Sequence, residues 1–418
     1  MLEPTSYIKL SPGVYYGTLT APPSKSYLQR AVAFASLCPE TSVITGYKAN
    51  NDTDAVLGLV KSIGAEVNIQ GDTIHIKGLS QYDLPVHLHS GESGLAARMF
   101  GGISTLYNNS VVIEGRGSLL NRPMHMVEQA LQLLGKTVVS QNGFLPLHIS
   151  GKLQPGKITI DASETSQLLT GLLIALPLAK GDTTLHVHNL CSQPYIAMTL
   201  EMLEKAGVSI QHKNFSDFFI RGNQHFKPLQ YQVEGDWSGA AFHMAAAAIS
   251  GHVCIKGLNP TSAQGDRIIC DVLKSAGALV TLSDEAVTVI KSDLHDFHFD
   301  ATMYPDLFPP LAALAAHCKG TSVITGTQRL TQKESNRALS LQSEFQKLGI
   351  QIKLSENEMH ITGGKITGGS VNSHNDHRIA MALALMSLNA KMPVEIEHYE
   401  TVNKSYPDFF SDFNESKH

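Results

Sequence analysis

A repeat of about 70 residues constrains this chain more than any other feature. The hexapeptide TSVITG stands at 41–46 and again at 321–326, four repeats apart. Along the chain runs a recurrent unit: an amphipathic helix, a glycine, a strand, a tight turn and a second strand. Five copies are legible: LGLVKSIGAEVNIQGDTIHIKG, VEQALQLLGKTVVSQNGFLPLHISG, LEMLEKAGVSIQHKNFSDFFIRG, ICDVLKSAGALVTLSDEAVTVIKS and LQSEFQKLGIQIKLSENEMHITGG. Their glycines, Gly64, Gly135, Gly207, Gly277 and Gly349, are spaced by 70 to 72 residues. Each follows a last helical turn, where a left-handed residue is cheapest as glycine. Each strand pair alternates apolar and polar residues, as a sheet with one wet face requires. A second helix in each unit is apolar all round, as in AVAFASL, QLLTGLLIALPL, AAFHMAAAAI, PPLAALAAHC and RIAMALALMSL. Such helices belong inside a core, and each is followed by a short strand.

Five units are complete and the sixth is split. After PVEIEH the chain reaches a last helix, YPDFFSDF, and stops, so the missing strand pair is expected from the N-terminal SYIKLSPGVYYGTLT. A split terminal unit closes a ring, whereas a solenoid needs caps. The expectation is therefore an α/β chain of two domains. Residues 21–234 hold repeats one to three, and residues 1–20 with 235–418 hold repeats four to six.

At 418 residues and a net charge of −5, the chain is no general nucleic-acid or membrane-surface binder. The N-terminus MLEPTSYIKL lacks a secretory apolar core. The longest apolar run, LLTGLLIALPLA, is too short to span a bilayer. Five cysteines without a Cys-x-x-Cys pair suit reduced thiols in a cytoplasm. The HLH and HVH pairs put two histidines on one strand face with no third ligand nearby, so no metal site is expected.

The reactive residue types fall on the repeat. The buried helices start at Lys25, Gly94, Ser166, Asp236, Asp306 and Asp376, at steps of 69 to 72 residues. About 27 residues further into each unit stand Asp52, Arg122, Gln193, Gln264, Lys333 and Lys404. Under sixfold quasi-symmetry, fixed places in sequence become rings in space, and two facing domains would aim helix N-termini, each favouring anions, into one cleft. Taken singly, SETSQ reads as N-capping, KESNR as an exposed charged turn and the arginine of NRPM as a solvated side chain. In register they gather eight cations, Lys25, Arg30, Arg98, Arg122, Lys333, Arg337, Arg378 and Lys404, around Asp306 and Glu334. No Gly-x-Gly-x-x-Gly or Walker-type loop is present. That balance suits two small phosphorylated acids, each phosphate bringing about −1.5 to −2.

The segments SKSYLQR, SGLAARMF, NRPM, SQLLTGLL, QPYI, VEGDWSGAAF, YPD, KESNR, NDHR and NKSYPDFF, in this order and spacing, resemble the EPSP synthase family of enolpyruvyl transferases. The resemblance implies a two-domain inside-out α/β barrel, each domain of three βαβαββ repeats. It implies transfer of an enolpyruvyl group from phosphoenolpyruvate to shikimate 3-phosphate in the shikimate pathway. On it, Lys25, Arg122, Gln167, Lys404 and the Gly94 backbone take the phosphate of phosphoenolpyruvate, and Arg337 and Arg378 its carboxylate. Ser26 and Arg30 take the shikimate carboxylate. Thr165, Ser166, Ser192 and Lys333 serve the shikimate phosphate, and Tyr195 lines the ring. Asp306 is the expected base for the hydroxyl and Glu334 the expected proton donor and acceptor at the methylene carbon, with Lys25 a rival donor.

The resemblance calls for no cofactor and no metal. The expected partners are the two substrates alone, with no nucleic acid and no membrane, for a monomeric chain. Four positions depart from the family pattern: Glu92 for a usual Asn, Leu95 for Thr, Gln193 for Lys and Arg329 for Asn. Glu92 is expected to pair with Arg98 or another cation. The rival readings are the sister transferase acting on UDP-N-acetylglucosamine, disfavoured by the absence of a cysteine in GRGSLLNRP, and a non-catalytic anion-binding relative.

Overall fold

All five repeat glycines adopt left-handed backbone, with φ of 101° at Gly64, 80° at Gly135 and Gly207, 97° at Gly277 and 89° at Gly349. In the computed structural model, which describes residues 6–82 and 85–418, each lies two residues beyond an outer helix. The helices come in pairs along the chain: α1 (Lys25–Ser36) and α2 (Asn51–Ser62), α3 (Gly94–Ile103) and α4 (His125–Leu133), α5 (Gln167–Ala175) and α6 (Gln193–Lys205), α7 (Trp237–Ser250) and α8 (Ile269–Ser275), α9 (Phe308–Ala316) and α10 (Arg337–Lys347), α11 (His377–Met386) and α12 (Phe409–Glu415). The first of each pair is the apolar one. α7, α9 and α11 are buried along their whole length.

Among the described residues, five sheets are four-stranded and built to one plan, and the sixth has three strands. In the second unit Val86–His89 pairs in parallel with Val111–Glu114 across α3, and Val111–Glu114 pairs antiparallel with Phe144–Ser150 of the hairpin. The chain divides into two compact units: Pro23–Val233, and Glu234–His418 together with the N-terminal segment ending at Pro22.

The sheets reveal an exchange. Gln230–Gln232, at the end of the third repeat, supplies the parallel edge strand beside Thr41–Thr45 of the first. Tyr16–Thr20 supplies the same strand beside His252–Lys256 of the fourth. Only Tyr7–Leu10 joins the sixth sheet, antiparallel to Val394–Glu397. The expected delivery of both N-terminal strands to the sixth repeat is therefore corrected. Alternation marks a strand but not its partner, and the edge beside His252–Lys256 is the one that Gln230–Gln232 does not occupy.

A second correction concerns Asp306. Helix α9 begins at Phe308, and Asp306 lies in the turn that Leu307 N–H closes onto the Tyr304 carbonyl at 3.0 Å. Pro309 and Pro310 fill the first helical turn, where a missing N–H costs nothing.

In the Pro23–Val233 unit, α3 and α5 cross at glycines. A Cβ on Gly171 would stand 2.1 Å from the Met99 carbonyl oxygen, and one on Gly102 2.6 Å from the backbone at Gly171 and Leu172. Because backbone cannot yield as a flexible side chain can, Gly171→Ala is expected to destabilise this unit by about 1–3 kcal/mol. Urea unfolding of the variant beside the parent measures it, and an unchanged midpoint would refute the close crossing.

Candidate functional site

The N-termini of the buried helices carry the charged groups. In the Pro23–Val233 unit, the Ser24 hydroxyl caps α1 by accepting the Tyr27 N–H, which leaves Lys25 as the first helical residue. Its Nζ lies 2.9 Å from Asp52 Oδ2 in the first turn of α2. One turn on, Arg30 is 1% exposed. It donates to Thr199 Oγ1 at 3.0 Å, the Ser26 carbonyl at 2.9 Å, the Tyr195 carbonyl at 3.1 Å and Thr170 Oγ1 at 3.4 Å, and sits 5.9 Å from the Tyr195 ring centre. Those four acceptors are uncharged. Burial without a facing carboxylate pulls the guanidinium down to about 10.

At the start of α3, Ser93 caps the helix and its hydroxyl donates to Gln29 of α1 at 3.4 Å. The Arg122 guanidinium lies over Gly94, where a Cβ would stand 2.5 Å from Nη1. A side chain at this position would push the guanidinium aside. Arg98, inside α3, donates to Gln167 Oε1 and to the Pro123 carbonyl, both at 2.9 Å. Glu92 accepts from the Ser118 hydroxyl at 3.3 Å and packs on Gly117, in the loop that leads to Arg122.

The start of α5 is not plain capping. The Ser166 side chain makes no cap hydrogen bond, while Thr165 Oγ1 accepts the Gln167 N–H at 3.2 Å. Ser192 precedes α6 in the left-handed region, with φ of 56°, and it too leaves its helix uncapped. His87 of the HLH pair faces Glu114 at 3.0 Å, and His186 of HVH bonds to Asp217. Among the described residues no group of three or more His, Cys, Asp and Glu could hold a metal.

In the Glu234–His418 unit, one arginine organises the cluster. Arg337, 1% exposed at the start of α10, donates through Nε to Asp376 at 2.8 Å, through Nη1 to Asp306 at 2.9 Å and through Nη2 to Glu334 at 2.7 Å. Its proton is held well above the usual arginine range, because Asp376, Glu334 and Asp306 outweigh the penalty of burial. Arg378 reaches Asp306 Oδ2 at 3.0 Å, Lys333 lies 4.0 Å from Asp306 and Lys404 3.7 Å from Glu334. Burial pushes Lys333 down to about 8. Nearby Asp266, bonded by the Ser238 hydroxyl, is pushed up to about 7 by burial and then by the Asp306 charge.

The EPSP synthase (3-phosphoshikimate 1-carboxyvinyltransferase) family model matches residues 12–413. The chain belongs to the EPSP synthase family. It is 39% identical over 412 residues to a 3-phosphoshikimate 1-carboxyvinyltransferase of Methanocella arvoryzae, covering 97% of each chain. It is 37% identical over 410 residues to one of Clostridium perfringens, covering 97% of this chain and 96% of that one. Among solved structures, EPSP synthase of Acinetobacter baumannii superposes with a TM-score of 0.80 at 26% identity, covering 99% and 98% of the two chains. The architecture is the two-domain α/β fold of that family.

Each unit brings its own share of the expected site residues together. Ser26, Arg30 and Tyr195 form one group, Gly94 with Arg122 a second, and Asp306, Lys333, Glu334, Arg337, Arg378 and Lys404 a third. The residues that composition undervalues are the partners. Asp52 and Asp376 stand on the repeat register and turn out to face Lys25 and Arg337. The eight cations are thus more nearly neutralised by protein carboxylates than Asp306 and Glu334 alone would make them. Thr170 and Thr199, which hold Arg30, carry no sequence signal beyond being polar on apolar helix faces.

Proposed function

We propose that this chain transfers the enolpyruvyl group of phosphoenolpyruvate to the 5-hydroxyl of shikimate 3-phosphate, releasing phosphate, on the shikimate route to chorismate. The carrying observation is that a single buried guanidinium, Arg337, holds both Asp306 and Glu334 at hydrogen-bond distance, with Lys333, Arg378 and Lys404 beside them. Two carboxylates fixed among cations are what an addition–elimination on anionic substrates requires.

Asp306 takes the proton of the 5-hydroxyl as its oxygen attacks C2 of the enol. Glu334 gives a proton to C3, turning the methylene into a methyl and yielding a tetrahedral intermediate. The C2–O bond to phosphate then breaks, the phosphate leaves with the electron pair, and Glu334 takes back a proton from C3 to restore the double bond. Lys25, Arg122, Gln167, Lys404 and the Gly94 N–H hold the departing phosphate. Lys25, bonded to Asp52, serves there as a cation and is the rival proton donor at C3. Arg337 and Arg378 take the carboxylate of phosphoenolpyruvate, which competes for them with Asp306, Glu334 and Asp376. Ser26 and Arg30 take the shikimate carboxylate, for which Arg30, surrounded by neutral oxygens, is the suitable cation. Thr165, Ser166, Ser192 and Lys333 take the shikimate phosphate, and Tyr195 flanks the ring. The proposal includes a monomer working in a reducing cytoplasm, in keeping with five free cysteines.

Inorganic phosphate release on mixing the two substrates, and from neither alone, tests this reading. Binding of either with no release would instead support a non-catalytic relative. The Lys333 role also makes a pH prediction. Only protonated Lys333 binds a phosphate, and burial sets it near 8. Affinity for shikimate 3-phosphate is therefore expected to be steady below pH 8 and to fall as pH rises, by about tenfold per unit at most. Titration calorimetry at pH 7 and pH 9 measures it, with Lys333→Arg expected to flatten the profile. Equal affinity at both pH values would mean that Lys333 keeps its charge to pH 9 or lies outside the phosphate site, and loss of affinity in Lys333→Met at pH 7 would distinguish the two.

A further inference from the structure

We propose that Glu344 is a positioning residue for the phosphoenolpyruvate carboxylate grip, acting through the loop that carries Asp376. This rests on the reading above, in which Arg337 and Arg378 take that carboxylate. Glu344 lies on α10 two turns beyond Arg337 and is 1% exposed. Its carboxylate accepts from His374 Nε2 at 2.8 Å, from the Asn372 N–H at 2.9 Å, from Lys347 Nζ at 2.7 Å and from the Ser343 hydroxyl at 3.0 Å. His374 belongs to the loop before α11, and Asn372 ends the strand Gly369–Asn372 that leads into it. These bonds hold Glu344 below the ordinary carboxylate range against the effect of burial.

That loop is strained. His374 and Asn375 are consecutive non-glycine residues in the left-handed region, with φ of 53° and 55°, a conformation L side chains adopt only at a cost. The strained pair aims Asp376, which caps α11 through the Arg378 N–H at 2.9 Å and receives Arg337 Nε at 2.8 Å. Helix α10 thus grips the loop at two points, Arg337 on Asp376 and Glu344 on His374 and Asn372. Between the grips the Ser335 hydroxyl donates to Asp376 Oδ2 at 3.2 Å. An open groove of about 780 Å³ runs alongside, bordered by Ser335, Ser340, His374 and Asn375. On the α10 side, polar bonds from Arg337, Ser335 and Glu344 hold the register of Asp376. Glu344 touches neither Arg337 nor Arg378, so its effect reaches them through the loop.

The test is steady-state kinetics on the full chain with both substrates. Glu344→Gln keeps the shape but loses the charge that holds four donors. It is expected to raise KM for phosphoenolpyruvate about tenfold or more, with KM for shikimate 3-phosphate changing less than about threefold and any fall in kcat smaller than the rise in KM. His374→Ala, at a partly exposed position and with circular dichroism as the folding control, is expected to move the same constant in the same direction, and His374→Gln, which restores a donor, to return it toward the parent value. Lys347→Met removes a donor that does not touch the loop and is expected to leave all three constants unchanged. An unchanged KM for phosphoenolpyruvate in both Glu344→Gln and His374→Ala overturns the inference alone. So does a matching change in Lys347→Met, which would mean a general effect on α10. A parent chain that releases no phosphate overturns the functional reading, and this inference with it.

Discussion

Replacing Glu334 with alanine is expected to lower turnover by about 10²- to 10⁴-fold, the span of a lost general acid–base group. The chain should still fold. Arg337 keeps Asp306 and Asp376 as partners, and Lys404 loses a carboxylate 3.7 Å away. Lys25→Met is expected to cost about 10²- to 10³-fold by removing one fixed charge from the departing phosphate. There too the fold survives, because Asp52 lies in the first turn of α2, where the helix N-terminus favours a negative charge. Phosphate release at saturating substrates, with circular dichroism as the folding control, reads both. Turnover close to the parent in either variant would strip that residue of its role.

Arg337→Met should give the largest loss of stability. It leaves Asp306, Glu334 and Asp376 facing one another with the guanidinium gone, and Asp376 has no solvent exposure. Removing one partner of a buried ion cluster typically destabilises by about 3–5 kcal/mol, because the remaining charges stay desolvated. Arg337→Lys should recover only part of it. An ammonium is a compact point charge, whereas three carboxylates approach the arginine from three directions. Urea unfolding at pH 7 measures the loss. A shift below about 1 kcal/mol would mean that water already screens the cluster.

The architecture was largely legible because it is periodic. Gly64, Gly135, Gly207, Gly277 and Gly349 announce the same helix end five times, and each has the positive φ that only glycine tolerates cheaply. The buried helices were legible for the same reason, since a segment apolar all round has nowhere else to go. What periodicity does not encode is pairing. Tyr16–Thr20 alternates in the same way whichever sheet receives it, and it joins the fourth. The proline pair after Asp306 signals a helix start but does not say that the aspartate stays outside it. The cations of the site stood out by type and register, whereas their carboxylate partners could be matched only in space. Asp376 is two residues from Arg378 in sequence yet bonds Arg337 from across the fold. Glu344 reads in sequence as one more charge on an amphipathic helix. Its burial against a left-handed turn depends on backbone strain 30 residues away, which no local pattern carries.

The exchanged edge strands bear on the order in which a ribosome releases this molecule. Residues 23–233 emerge as a contiguous stretch and can fold once Gln230–Gln232 is available to Thr41–Thr45. Tyr16–Thr20 and Tyr7–Leu10 precede their hydrogen-bonding partners, His252–Lys256 and Val394–Glu397, by a long stretch of chain, so their edges stay bare until those strands emerge. Both strands are thus secured later than the contiguous stretch that follows them, Tyr7–Leu10 later than Tyr16–Thr20, and damage to either should fall on the unit of residues 234–418.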